Sequence, residues 1–364
     1  MTTADRRYHF PVTRLGEIMR PEQDRPQEAW GVLNPGGVRS ADGTMHLFPR
    51  TIAEGNYSRI AHARVLFEGD RPVGVERLGV ALEPHEPYEV TSGGGGVEDA
   101  RVVYVPLLKR FVMTYTAFVP YEAKIGVAVS EDLQTWERLG VLRYARSLRA
   151  WGQELTGNKD GAFFPAPVLD PSGVPSFAIM HRPTARIHVH LGVRELIRPA
   201  MGVFKHESLW ISYVPVDAVL ADLSALTQVG HHEHVMSGDA PWEAVKIGTG
   251  APPVHLPGGW LLTYHGVSGD NEHRRYSMGV AVLDLERPSR VLYRSPEPIL
   301  APETDYECAG LVSNVIFPSA TDLRADNSLD VYYGAADHVI AVARMGLPSE
   351  LTNDVRADGI LARS

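Results

Sequence analysis

Five stretches of this chain follow one plan, and that repeat limits its fold more than any other feature. Each has a polar or glycine-rich opening, then a strand, a turn and a second strand, often with a third. The openings lie near Leu33-Asn-Pro-Gly-Gly37, Gly96-Val-Glu-Asp-Ala-Arg101, Asn158-Lys-Asp-Gly161, Lys246-Ile-Gly-Thr-Gly250 and Tyr306-Glu-Cys-Ala-Gly310. Turn residues mark hairpins behind them: Asp42-Gly43 before Met45, Asp170-Pro-Ser-Gly173 before Ser176, Pro257-Gly-Gly259 before Trp260. Short β-rich runs such as Arg110 to Ala117, Ile125 to Ser130 and Trp260 to Tyr264 fill the intervals. Helical spacing is confined mainly to Val216 to Gln228, through Val219, Leu220, Leu223 and Leu226. Many short strands imply a sandwich, barrel or propeller, and the fivefold plan selects an all-β, five-bladed β-propeller. Its inner strands would line a central funnel where polar residues of different blades converge.

The starts are about 60 to 90 residues apart, wider than a blade of ~40–50 residues, so insertions must fill the difference. We expect one propeller domain over residues 1–364, with an N-terminal extension over about 1–30. Irregular stretches at about 143–156 and 182–205 read as loops over the funnel or as surface insertions.

Lys plus Arg number 35 and Asp plus Glu 44, a net charge of −9 that disfavours nucleic acid or an anionic membrane as partner. No apolar run approaches the ~18 residues of a membrane span, and Met1 to Phe10 lacks a signal-peptide core. A cytoplasmic location is the expectation. Cys308 is the one cysteine, which excludes an intrachain disulfide. His231-His-Glu-His234 lacks the helical spacing of zinc proteases, so no metal or other cofactor is expected.

Carboxylates carry the chemistry. Glu98 and Asp99 follow the flexible run Gly93 to Gly96 and precede Arg101. Neighbouring acids can be tuned apart in pKa, but a regular strand would turn only one of them to the funnel. A salt bridge to Arg101 is the structural alternative. Lys159 and Asp160 open the third repeat, and His181 and Arg182 close its next strand; together they could hold an anion or a sugar hydroxyl, or be surface charge. Glu207 and Glu243 each lie near tryptophan, an arrangement that suits a stacked sugar or plain core packing. Glu307 and Asp337 bracket the last repeat and admit the same two readings.

Taken together and in order, these motifs resemble glycoside hydrolase family 130, over about Asn34 to Ala343. The resembling pieces are Asn34-Pro35, Leu47-Phe-Pro-Arg50, Ser58-Arg59-Ile60, Gly96 to Arg101 with Thr114-Tyr-Thr-Ala117, Asn158-Lys-Asp-Gly161, His181-Arg-Pro183, Lys246 to Pro253 with Gly259 to Gly266 (which contains His265), and Tyr332 to Asp337. The resemblance implies a five-bladed propeller acting on β-mannosides with inversion, by water in hydrolases or by inorganic phosphate in phosphorylases. The family's Glu-Asp-Pro-Arg places its proton donor at Asp99, with Ala100 where proline is usual. It implies that Asp337 holds the sugar of the cleaved subsite, and that Lys159 and His181 help bind phosphate in phosphorylases. Asn34, Arg50, Arg59, Glu98, Asp160, Arg182, His265 and Glu307 complete the expected sugar-binding set.

The family's phosphorylases carry arginines just after the Thr-Tyr-Thr-Ala strand. Here Phe118 to Glu137 contains none, although Arg146 or Arg149 could substitute. Arginine matches phosphate well. The sequence expectation is therefore an inverting hydrolase of β-mannosides, β-1,2-linked by analogy, with Asp99 as acid and Glu207 or Glu243 activating water across the ring. A phosphorylase using phosphate as co-substrate is the alternative, and a sugar-binding propeller without catalysis is a second. The expected partner is a small oligosaccharide.

Overall fold

The computed structural model describes residues 8–91, 94–120, 122–144, 157–184, 207–270 and 273–353. Twenty strands form five antiparallel four-stranded blades. Blade 1 comprises Gly31–Arg39, Met45–Ala53, Tyr57–Glu68 and Arg71–Leu82. Blade 2 comprises Gly94–Val105, Arg110–Val119, Glu122–Ser130 and Glu137–Val141. Blade 3 comprises Gly157–Phe163, Pro175–Thr184, Leu209–Pro215 and Gln228–Met236. Blade 4 comprises Lys246–Thr249, Gly259–Ser268, Arg275–Leu283 and Val291–Arg294. Blade 5 takes three strands from the C-terminal part, Ile316–Leu323, Ser328–Ala335 and Val339–Gly346, and its fourth, Val12–Met19, from the N-terminal part.

That last pairing changes the reading of the N-terminal region. An extension over 1–30 was expected, yet residues 12–19 are the outer strand of blade 5. Its registration against Ile340–Met345 closes the ring by joining the two ends of the chain.

All five seams repeat one link, between the start of a third strand and the next blade's first strand. Ser58 pairs with Gly96, Ala123 with Gly157, Glu207 with Lys246 and Tyr276 with Val315. At the fifth seam the Val32 N–H donates to the His338 carbonyl at 3.1 Å. Five apolar clusters fill the same seams. Val32, Met45 and Leu47 meet Tyr332 and Val342 between blades 1 and 5, while Phe164, Ile211 and Tyr213 meet Trp260, Leu262 and Tyr264 between blades 3 and 4. Blade sheets packed on both faces need apolar residues on both, which explains the unbroken burial of Phe111–Ala117.

The inner strands are bulged where they meet the axis. Register shifts fall between Leu33 and Gly36, Glu98 and Arg101, and Lys159 and Ala162. The extra residues Asn34, Asp99 and Asp160 take φ of 45°, 50° and 56°. A bulge re-aims a side chain that regular alternation would send into the sheet stack. At Gly36 a Cβ would stand 2.9 Å from the Ala100 carbonyl oxygen, so glycine permits the axial approach of blades 1 and 2.

Two expectations at element level are revised. The helix expected over Val216–Gln228 is a six-residue helix, Val216–Ala221, and a 3-10 turn, Leu223–Thr227. Asp222 breaks it, with φ −153° and its carboxylate accepting from the Ser224 N–H. The fifth repeat's opening forms a short helix, Asp305–Cys308, and the strand starts only at Ile316. Of the expected insertions, Arg143–Tyr144 pairs with Gln228–Val229 and Arg182 to Thr184 belong to a strand; 145–156 and 185–205, with Arg146 and Arg149, lie outside the described residues. No helix among the described residues is long and apolar enough to cross a membrane.

Candidate active site

Glu98 and Asp99 both reach Arg50, which the sequence rule of alternation did not allow. Arg50, on the second strand of blade 1, donates from Nη2 to Glu98 Oε1 at 2.7 Å and from Nη1 to Asp99 Oδ1 at 3.4 Å. Its Nε donates to Ser58 Oγ at 2.9 Å. The bulge at Asp99 brings consecutive carboxylates to one side. Asn34 Nδ2 donates to Asp99 Oδ1 at 2.9 Å. Arg101, the expected structural partner, instead braces the axis: it donates from Nε to the Gly250 carbonyl at 2.5 Å and from Nη1 to the Asp99 carbonyl at 2.8 Å.

A second group comes from blades 3 and 4. Arg182 donates from Nε to Asp160 Oδ2 at 2.7 Å and also pairs with Glu207. His265 Nε2 lies 3.7 Å from Asp160 Oδ2. Burial opposes the charge of Asp160, but the Arg182 and Arg101 guanidiniums hold its carboxyl well below the usual range. Burial drives His265 down to about 3 against the pull of Asp160, so it is neutral. Gly248 is small by necessity, because a Cβ there would collide with Asp160 and His265.

Lys159, Lys246 and Asp337 join the groups. Lys159 Nζ lies 3.5 Å from Glu98 Oε2 and 5.2 Å from the centre of the Phe118 ring. Burial, with Arg182, Arg274 and Lys159 adding to it, pushes the Lys246 ammonium down to about 7 against the pull of Asp160. Its Nζ lies 5.6 Å from the Tyr276 ring centre. Burial pushes Asp337 up to about 6; Asp99 and Glu98 add to that, while Arg50 and Lys246 oppose it. Carboxylates distant in sequence thus interact across one funnel, beside a group of cations.

Four expected site residues lie elsewhere. Glu243 is fully buried behind blade 4, where it accepts from the Asp239 and Ala240 N–H groups, Tyr264 Oη at 2.7 Å and Arg294 Nη2 at 2.5 Å. Glu307 repeats this in blade 5, with the Glu303 and Thr304 N–H groups, Tyr333 Oη and Arg14. Glu89 does so in blade 2, with the His85 and Glu86 N–H groups, Tyr115 and Arg138. These glutamates are latches that fix a loop to its blade, which corrects the sugar-site reading of Glu243 and Glu307. His181 is fully buried between Asn158, at 3.0 Å, and Ser212, at 2.7 Å, and burial drives it down to about 3. It stands on the opposite face of its strand from Arg182. Arg59 pairs with Glu83 at 2.6 Å and covers Tyr57.

Lys246 opens the fourth repeat and its first strand but was not named as a site residue, because only the cations and burial around it in the folded chain set it apart. His231 to His234 do not converge: His232 bonds Ser212, His234 bonds Ser237 and Glu233 accepts from Tyr213. Among the described residues no group of three or more His, Cys, Asp or Glu could hold a metal ion.

The family model described as beta-1,4-mannooligosaccharide phosphorylase matches residues 6–353. A 1,2-beta-oligomannan phosphorylase of Thermoanaerobacter sp. (strain X514) is 26% identical over 340 residues, covering 90% of this chain and 93% of the relative. A beta-1,2-mannobiose phosphorylase of the same strain is 51% identical over 102 residues, 28% of this chain and 32% of the relative. The structure of the beta-1,2-mannobiose phosphorylase from Listeria innocua, in complex with beta-1,2-mannobiose, superposes with a TM-score of 0.69 at 22% identity, over 95% of this chain and 99% of that one. These names overturn the expectation of a hydrolase that uses water. That expectation weighed the arginines missing between Phe118 and Glu137, whereas the funnel draws cations from several blades. With this match across nearly its whole length, the chain belongs to glycoside hydrolase family 130 and is an enzyme of that family.

Proposed function

We propose that the protein is an inverting β-mannoside phosphorylase that takes inorganic phosphate as co-substrate and releases α-mannose 1-phosphate. The observation that carries this reading is that the funnel gathers the acids Glu98, Asp99 and Asp337 with cations from three blades: Arg50 from blade 1, Lys159 and Arg182 from blade 3, and Lys246 from blade 4. Lys246 is pushed down to about 7, the signature of a buried site short of negative charge, and a bound phosphate would relieve it.

In this mechanism a phosphate oxygen attacks the anomeric carbon from the face opposite the aglycone. The bond to the bridging oxygen breaks with its electron pair on oxygen, and Asp99 supplies the proton, directly or through a sugar hydroxyl. Phosphate is already anionic at neutral pH, so no general base is required and neither Glu207 nor Glu243 needs that role. Asp337 binds hydroxyls of the sugar in the cleaved subsite, and Glu207 fixes Arg182.

We further infer a β-1,2 linkage, because the relative matched over 90% of this chain and the relative with 51% local identity are both named for it. The test is incubation of β-1,2- and β-1,4-mannobiose with and without phosphate. Mannose 1-phosphate formed only with phosphate, and faster from the β-1,2 isomer, supports the proposal. Free mannose released equally in its absence would refute it.

A further inference from the structure

Asn34 occupies in blade 1 the position that Asp99 occupies in blade 2 and Asp160 in blade 3. All three are left-handed bulge residues of inner strands. Asn34 was expected to bind sugar, but its geometry serves Asp99. Its amide Nδ2 donates to Asp99 Oδ1 at 2.9 Å. The other donor on that carboxylate, Arg50 Nη1, approaches the same oxygen at 3.4 Å. Among the described residues no donor is recorded on Asp99 Oδ2. An oxygen that accepts two N–H donors is a poor place for a proton, so a proton on this carboxyl belongs on Oδ2.

The other end of Asn34 is held by packing. It is 4% exposed, its Oδ1 is buried without a hydrogen-bond partner among the described residues, and that atom fills the space beside Gly334 where a side chain would stand. An unpartnered buried carbonyl costs stability, and aspartate here would add a like charge beside Glu98, Asp99 and Asp337. The amide does what neither an apolar residue nor a carboxylate can do: it presents N–H to Oδ1.

We infer that Asn34 is a positioning residue that pins Asp99 through Oδ1, so that Oδ2 carries the proton delivered to the leaving oxygen. The inference rests on the reading of Asp99 as proton donor. Loss of Asn34 then slows reactions that need acid assistance and spares those whose leaving group departs without it.

The test uses Asn34→Gly, which tolerates the left-handed backbone, and Asn34→Asp, which keeps the size but loses the donor. Both are assayed with phosphate on β-1,2-mannobiose and on dinitrophenyl β-mannoside, whose phenolate needs little protonation. The expected result is a fall in kcat on mannobiose of about 30-fold or more, with KM changed by less than about 3-fold and a much smaller fall on the aryl mannoside. Equal losses on both substrates would make Asn34 a structural residue. A rise in KM at unchanged kcat would make it a sugar ligand. Either result overturns the inference. Asp99→Asn is the control: if it still turns over mannobiose, the reading of Asp99 fails independently of Asn34.

Discussion

Asp337 pays for its place in the funnel with stability. Burial, supported by Asp99 and Glu98, pushes it up to about 6, above the usual aspartate value of ~4. The folded protein therefore binds more protons than the unfolded chain between about pH 4 and 6, and stability falls as pH rises through that window. Asp337→Asn should melt at a higher temperature than wild type at pH 8 while losing about 100-fold or more in kcat/KM; an unchanged melting temperature would show that the carboxylate is not strained. Lys246 gives a second residue-scale prediction. With its ammonium down at about 7, phosphate binding should weaken as pH rises past that value, and Lys246→Met should lose this dependence. Phosphate KM against pH in the two proteins tests it. The sequence made Asp99 and Asp337 visible through their motifs. It did not reveal Lys246, whose importance lies in the cations around it, nor that Glu98 and Asp99 share Arg50, because a bulge is set by axial crowding.

The latch glutamates show what element-level reading lacked. A carboxylate near tryptophan resembles a sugar site, and Glu243 met that description. Its role becomes visible only when Tyr264 from the second strand of blade 4 and Arg294 from the fourth close on it, as Tyr115 and Arg138 close on Glu89. Removing one partner of a buried ionic cluster costs about 3–5 kcal/mol. Glu243→Ala should lose stability on that scale by denaturant unfolding, yet turn over within about 3-fold of wild type per folded molecule; a collapse of kcat at unchanged stability would restore Glu243 to the chemistry. Strands such as Arg110–Val119 and Gly259–Ser268 were legible from β-rich runs between turns. The helix at 216–228 was overread because helical spacing does not register the extended backbone at Asp222 that ends the helix.

Five repeats gave away the five blades, but not how the ring closes. No local signal marks Val12–Met19 as the outer strand of a blade whose other strands begin about 300 residues later. Only the unpaired edge of Val339–Gly346 calls for it. Arg14 on this strand also completes the Glu307 latch. Deleting residues 1–19 should therefore leave an aggregating protein without a cooperative melt, and a monodisperse product with wild-type melting would refute closure by this strand. At this scale the central claim is that one funnel joins acids and cations so that phosphate displaces a β-mannosyl leaving group with inversion. Proton and phosphorus NMR of the first product formed from β-1,2-mannobiose and phosphate tests it most directly. The account predicts α-mannose 1-phosphate and mannose in equal amounts from the first turnovers; mannose without the phosphate ester, or the β-anomer of that ester, would contradict it.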